Sequence, residues 1–234
     1  MNFAEPLIPA TLVRRYKRFL SDAVLPDGRE ITAHVANPGA MLDLTEPGTK
    51  IWLEPNDDPK RKLKFAWRMN ETDDGTLIGV DTSMPNRIVK EALTARAIPE
   101  LSDYQNIRPE VKYGENSRID FLLTDPNKPD LYVEVKNVST SRSPNLSEFP
   151  DCVTTRGAKH LFELAEMARS GKRAMMFYLV QRTDCHEMSI ASDLDPTYGE
   201  AFQAAMAAGV EVLAYDCAMS PQGISIGQRR AFIR

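Results

Sequence analysis

An α/β fold preceded by an all-β part is the architecture this sequence predicts, and three observations predict it. Residues 7–81 alternate short β-like runs with turn signals and contain no stretch of helical period. From residue 83 onward the pattern reads helix, three strands, helix, strand, helix, strand, the order of a mixed sheet with helices packed against it. Residues 173–181 are almost continuously apolar, as a central strand covered on both faces requires. The change of texture at Met84-Pro85-Asn86 divides the chain into 1–82 and 83–234.

In the first part, strands are expected at 12–20, 30–35, 50–54, 63–70 and 76–80. Asn37-Pro38-Gly39 reads as a tight turn, with Pro presetting φ, and Asp27-Gly28 and Asp74-Gly75 suit hairpins. Five short strands at this spacing predict a small barrel of the oligonucleotide-binding (OB) type. Two basic groups fall on it: Arg14-Arg15-x-Lys17-Arg18, and Lys60-Arg61-Lys62-x-Lys64 followed by Trp67 and Arg68. Arg14, Arg15, Lys17, Lys62 and Lys64 are therefore candidate nucleic-acid contacts. The competing reading is a set of solvated strand faces balanced by Asp57, Asp58, Asp73 and Asp74.

In the second part, helices are expected at 87–97, 155–170 and 195–209, the first ended by Pro99 and the second by Gly171. Strands are expected at 106–113, 117–124, 131–139, 173–181 and 210–215, with a turn at 114–116. Residues 140–150, rich in Ser, Pro and Asn, read as a loop.

A chain of 234 residues buries a sizeable core without disulfides or structural metal. Cys152, Cys185 and Cys217 are far apart and form no Cys-x-x-Cys pair, so they read as reduced thiols. His34, His160 and His186 lack metal-ligand spacing, which argues against zinc. The N-terminus intersperses apolar residues with Arg14, Arg15, Lys17 and Arg18, and the longest apolar run is far short of a membrane span. A cytoplasmic protein with no membrane partner is the expectation. The net charge of −4 weighs against a nucleic-acid partner, but phosphate binding depends on where the cations cluster more than on the total.

The informative stretch is Arg118-Ile119-Asp120-Phe121-Leu122-Leu123 followed, across a turn, by Tyr132-Val133-Glu134-Val135-Lys136. Side chains alternate faces along a strand, so Glu134 and Lys136 point one way while Val133 and Val135 point into the core. Asp120 likewise sits between apolar Ile119 and Phe121, where an unpaired charge is costly. If the two strands are neighbours, Asp120 and Glu134 converge, and two close carboxylates call for a cation. Mg²⁺ or Mn²⁺ suits such oxygen donors and leaves positions for water and phosphate. Lys136 would then orient a water or stabilise developing charge, and the chemistry is phosphodiester hydrolysis.

An acid two before a lysine is weak evidence alone, since Asp58-x-Lys60 and Glu110-x-Lys112 repeat it. Only Glu134-x-Lys136 lies in an apolar strand with an embedded acid upstream. The competing reading is a Glu–Lys pair on a half-exposed strand. Arg156, Lys159, His160 and Glu163 share one face of the second predicted helix and could reach phosphates, against the plainer alternative of a solvated face. Glu91, on the first helix, is a further candidate carboxylate or a surface residue.

Several segments together resemble the bacterial sugar fermentation stimulation protein A family. They are His34-Val-Ala-Asn37-Pro38-Gly39-Ala-Met41, Pro85-Asn86-Arg87, Ser117-Arg118-Ile119-Asp120-Phe121, Val133-Glu134-Val135-Lys136-Asn137-Val138, and the run from Phe149 to Leu161 containing Arg156-Gly157-x-Lys159-His160. The resemblance implies an N-terminal OB-type barrel and a C-terminal restriction-endonuclease-like domain of the PD-(D/E)xK kind, whose site uses an Asp and a Glu-x-Lys on adjacent strands. By that likeness Asp120, Glu134 and Lys136 are catalytic, Asp120 and Glu134 hold the metal, and Glu91 is the helix carboxylate. Arg118, Arg156, Lys159 and His160 join the nucleic-acid contacts. It also implies DNA binding and a link to the regulation of maltose metabolism. Where the family often has Cys-Pro after the motif histidine, this chain has Val35-Ala36, so no cysteine acts there. His34 and Asn37 read as parts of a structural turn.

The leading functional expectation is a DNA-binding protein, with RNA as an alternative, carrying a Mg²⁺- or Mn²⁺-dependent nuclease site. The runner-up is a non-catalytic DNA-binding regulator that retains the carboxylates. A module binding a small ligand or a protein is the third. Monomer and homodimer both stay open.

Overall fold

Turn chemistry and strand alternation build the N-terminal barrel. This computed structural model describes residues 1–114 and 117–233, so two residues of the turn expected at 114–116, Glu115 and Asn116, lie outside the described residues. Strands β1 (Ile8–Tyr16), β2 (Leu20–Val24), β3 (Glu30–His34), β4 (Lys50–Pro55), β5 (Phe65–Glu71) and β6 (Leu77–Gly79) form one sheet in the order β3-β2-β1-β4-β5-β6. A parallel pairing of His34 with Ala66 joins β3 to β5 and closes the barrel, with β6 added outside the closure. Its interior holds Leu12, Ala23, Ala33, Ile51, Leu53 and Trp67, each from an inward position of its strand.

The single strand expected at 12–20 is corrected to a hairpin. Tyr16 pairs with Leu20, and the chain reverses through Lys17 (φ 46°) and Arg18 (φ 67°). No Gly or Asn advertises this left-handed turn, so the basic run masked it.

The second part opens with helix α1 (Met84–Thr94). It starts three residues before the expected position because Pro85 sits in the first turn, where a missing N–H costs nothing. Strands β7 (Asn106–Tyr113), β8 (Ser117–Asp125) and β9 (Lys128–Val138) follow, then β10 (Thr140–Ser143) and β11 (Leu146–Phe149). The stretch expected as a loop is thus a short hairpin, with Asn145 (φ 68°) at its turn. Helix α2 (Thr155–Arg169), β12 (Arg173–Val180), β13 (Glu187–Ile190), α3 (Pro196–Ala207), β14 (Glu211–Ser220), β15 (Gly223–Arg229) and β16 (Ala231–Phe232) complete the chain. Of these, β13, β15 and β16 carry no clear sequence signal.

The main sheet runs β15-β14-β12-β9-β8-β7 and is mixed: β12 is parallel to both β9 and β14, whereas β8 is antiparallel to β9 and β7. The expectation for the apolar run is met residue by residue. Met175, Phe177 and Leu179 of β12 enter the core shared with α1, while Ala174, Met176, Tyr178 and Val180 enter the core shared with α2 and α3. Asp195 locks the two helices together: one carboxylate oxygen accepts from Tyr198 N at 3.0 Å, capping α3, and the other from Thr154 N at 2.7 Å, at the start of α2. No helix among the described residues is long and apolar enough to cross a membrane.

Candidate active site

Strand alternation puts Glu134 and Lys136 on the α2 face of β9, because Leu131, Val133 and Val135 fill the opposite core. Strands β8 and β9 pair up to Phe121 and Val133 and then part. Past that point Asp120 substitutes for the ladder. Its Oδ2 accepts the Val135 N–H at 2.7 Å, and its Oδ1 accepts from the Asn86 amide, also at 2.7 Å. Asn86 stands in the first turn of α1, so the helix start fixes the aspartate's rotamer.

Glu134 is 3% exposed, and its Oε1 accepts from Lys136 Nζ at 2.7 Å and from His160 Nδ1. His160, on α2 and buried, accepts at Nε2 from Arg156 Nε at 3.3 Å. An accepting Nε2 leaves the ring proton on Nδ1, so one tautomer serves both partners. Residue 160, proposed from the sequence as a phosphate contact, is instead spent on orienting Glu134.

These partners drive the two acids apart. Burial pushes the Glu134 carboxyl upward, but the His160 hydrogen bond and the Lys136 charge outweigh it and hold the group below the usual range. The Asp120 carboxyl is pushed up to about 6, first by burial and then by the Glu134 charge, against the opposing pull of Val135 N–H, Asn86 and Lys136. Burial, followed by the charges of Glu134, Glu163 and Asp120, also raises the Tyr113 hydroxyl nearby.

Asp120, Glu134, Lys136, Arg156 and His160 line a cleft of ≈ 440 Å³ between the two parts of the chain. Asn37, Pro38 and Gly39 come from the barrel, Thr82, Pro85 and Asn86 from the start of α1, and Glu148 to Thr154 from β11 and the segment before α2. The barrel loop is held in place by Arg15, whose guanidinium donates to the carbonyls of Asn37 at 2.7 Å and Gly39 at 3.1 Å. A Cβ on Gly39 would stand 2.6 Å from Asp151 Oδ2, so a larger residue here would have to displace that carboxylate where the loop closes on the β11–α2 segment.

Two carboxylates with this environment fit a hard divalent cation. Glu134 Oε2 is buried without a hydrogen-bond partner, and a second acid is forced upward beside it. Among the described residues no cluster of three or more His, Cys, Asp or Glu is arranged to hold a metal. An ion here would rest on two side-chain carboxylates and complete its shell with water and phosphate oxygens, the habit of Mg²⁺.

The remaining sequence candidates scatter. Glu91 does not join the site: it is 56% exposed and pairs with the Met1 ammonium at 2.9 Å, on a different face of α1 from Asn86. Arg14 is paired with Asp22 at 2.8 Å. The Lys64 ammonium donates to Asp58 O at 2.8 Å. Lys17 is exposed at the barrel hairpin, Arg118 is exposed on β8, and Lys159 stands 3.6 Å from Glu163. Of the candidate contacts, Arg156 and His160 line the cleft, and Lys62 lines a neighbouring groove. Asn86 was missed as a positioning residue, although Pro85-Asn86-Arg87 stood among the resembling segments.

His160→Ala is expected to destabilise the fold by about 1–3 kcal/mol, because it removes one partner of a buried carboxylate and leaves the other. Urea unfolding at neutral pH measures this, and an unchanged midpoint would refute the tie between α2 and β9.

Comparison with known proteins places these features in a wider set. Residues 13–80 match the model of the SfsA N-terminal OB domain, and residues 83–223 match that of the sugar fermentation stimulation protein RE domain. A sugar fermentation stimulation protein homolog of Ruegeria pomeroyi is 62% identical over 226 residues, covering 97% of this chain and 98% of that protein. A homolog from Roseobacter denitrificans is 60% identical over 227 residues, covering 97% of both chains. The solved structure of Pyrococcus furiosus SfsA in complex with Ca²⁺ superposes with a TM-score of 0.89 at 26% identity, covering 100% of this chain and 98% of that one.

Proposed function

This chain belongs to the sugar fermentation stimulation protein family, and from that premise we propose that it binds DNA and hydrolyses phosphodiester bonds with a divalent metal at Asp120, Glu134 and Lys136. One observation carries the reading. A buried carboxylate with an oxygen lacking any partner faces the same cleft as a second carboxylate and an ammonium.

Each residue has a part set by its contacts. Asp120 and Glu134 would hold the ion, the first fixed by Asn86 and Val135, the second by His160. A bound divalent cation supplies positive charge to a phosphate oxygen and acidifies a water. The Lys136 ammonium, 14% exposed and anchored on Glu134, orients the attacking water or meets the charge that develops on the phosphate. Arg156, at the cleft's edge, is placed to contact a flanking phosphate. That Pyrococcus furiosus SfsA takes Ca²⁺ supports an oxygen-liganded divalent ion in this family, and Mg²⁺ or Mn²⁺ is our choice for the reaction. The association with sugar metabolism rests on the family's name and identifies no reaction.

The test is direct. Purified protein incubated with labelled DNA and Mg²⁺ or Mn²⁺ is expected to cut it, and a chelator to stop the cutting. DNA that is bound but uncut under every divalent metal would leave only a binding protein.

A further inference from the structure

Beside the cleft lies a second groove, of ≈ 570 Å³, on the wall of the barrel where β3 meets β5. The two are neighbours in the most literal sense. Asn37, Thr82 and Asn86 line the cleft, while the adjoining Ala36, Ser83 and Arg87 line the groove. Between them runs one strap, in which Thr82 N and Oγ1 both donate to Ala36 O, at 3.0 and 2.8 Å.

The groove's charge is one-sided. Arg61, Lys62 and Arg87 are exposed and make no ion pair among the described residues. Arg68, which also lines the groove, is neutralised by Glu54 and Asp81, as Arg14 is by Asp22 and Lys50 by Glu71 elsewhere on the barrel. The acid lining the groove, Asp81, is 1% exposed and already taken by Arg68. Asp57 and Asp58 sit in the adjoining loop but do not line it. In a chain of net charge −4, three uncompensated cations in one groove point to an anionic occupant.

Its walls also carry rings. His34 and Phe65 line it, and Phe19, 41% exposed, stacks on His34 with centroids 6.2 Å apart at 16°. Phe65 is half-buried against the barrel core and Phe19 and His34 are exposed, and such rings beside cations suit the flat faces of unpaired bases and the phosphates between them. A duplex keeps those faces stacked inside, so it could use the cations but not the rings.

We infer that this groove holds a single-stranded segment of nucleic acid, stacked on Phe19, His34 and Phe65 and held by Arg61, Lys62 and Arg87, which continues over the Thr82–Ala36 strap into the carboxylate cleft. The inference rests on the proposed nuclease reading for the cleft end of the path, whereas the groove itself is tested without metal. Fluorescence anisotropy in chelator, at several salt concentrations, would compare a labelled thymidine 12-mer, the matching uridine RNA and a blunt DNA duplex. Both single strands are expected to bind more tightly than the duplex. The double variant Arg61→Glu, Lys62→Glu should lose about tenfold or more of that affinity and flatten the salt dependence by about 0.7 per cation removed. Phe19→Ala should weaken binding by about tenfold with the salt slope unchanged. These three positions are exposed, and unchanged thermal unfolding would show that the variants fold. Variants that bind both single strands as the parent does, or a parent that prefers the duplex, would overturn the inference. Tight, groove-dependent binding without cleavage in metal would instead sink the nuclease reading and leave the groove standing.

Discussion

Lys136→Ala is expected to lower metal-dependent cleavage by about 10²–10³-fold while leaving DNA affinity in chelator nearly unchanged. Among the described residues that line the cleft, Lys136 supplies the one ammonium, and it is half sunk, with Nζ 2.7 Å from Glu134 Oε1. A side chain so placed touches little of a bound strand away from the reacting phosphate. Its removal therefore falls on the transition state more than on binding. The substitution also removes a counter-charge from Glu134, so its carboxyl should rise toward the range that burial alone would impose. Thermal unfolding must accompany the cleavage assay to show that the variant stays folded. Cleavage at the parent's rate would remove Lys136 from the reaction.

The clustering of the three candidate side chains was legible because they break a rule that strands otherwise keep. Asp120, Glu134 and Lys136 are charged residues embedded in runs whose neighbours must be buried, and alternation alone put Glu134 and Lys136 on one face. The barrel was legible from turn dipeptides, and the central strand from its length of unbroken apolar residues. What stayed hidden depended on contacts distant in sequence or on backbone conformations without a marker. Lys17 and Arg18 turn the chain with positive φ and no glycine, so two strands read as one. The β10–β11 hairpin is rich in Ser, and a distant partner helps to order it: Arg142, which pairs with Glu148 across the hairpin, also reaches Asp193. No local pattern announces such a partner.

Glu91 shows why residue type is not enough. On a helix of about 100° per residue, five positions separate Asn86 from Glu91 by about 140° around the axis, so both cannot face Asp120. The sequence offered an acid on the right helix, and the structure uses the amide on the right face. His160 makes the same point in reverse. Helical spacing grouped it with Arg156 and Lys159, but burial turns it toward Glu134, where it acts through a carboxylate.

Asp120→Asn is expected to make the metal-free protein more stable at neutral pH and at the same time to cut metal-dependent cleavage by about 10²-fold or more. In the fold the Asp120 carboxyl lies at about 6, raised by burial and by Glu134, whereas an unfolded aspartate ionises near 3.9. An acid raised on folding penalises the native state once it is ionised. The penalty is absent below about pH 4, grows between about pH 4 and 6, and is complete above that window. Two pKa units correspond to a cost on the order of 2–3 kcal/mol. Asparagine carries no charge to be penalised. It still offers an oxygen to Val135 N–H, and the Asn86 amide can turn to present its own oxygen. In chelator the variant should therefore unfold several degrees above the parent at pH 8 and together with it at pH 4. Adding Mg²⁺ or Mn²⁺ should reverse the order at pH 8, since an ion stabilises the form that binds it, and the parent keeps both carboxylates. A variant less stable than the parent at pH 8 in chelator, or one stabilised equally by metal, would show that Asp120 is not the strained partner of a cation site.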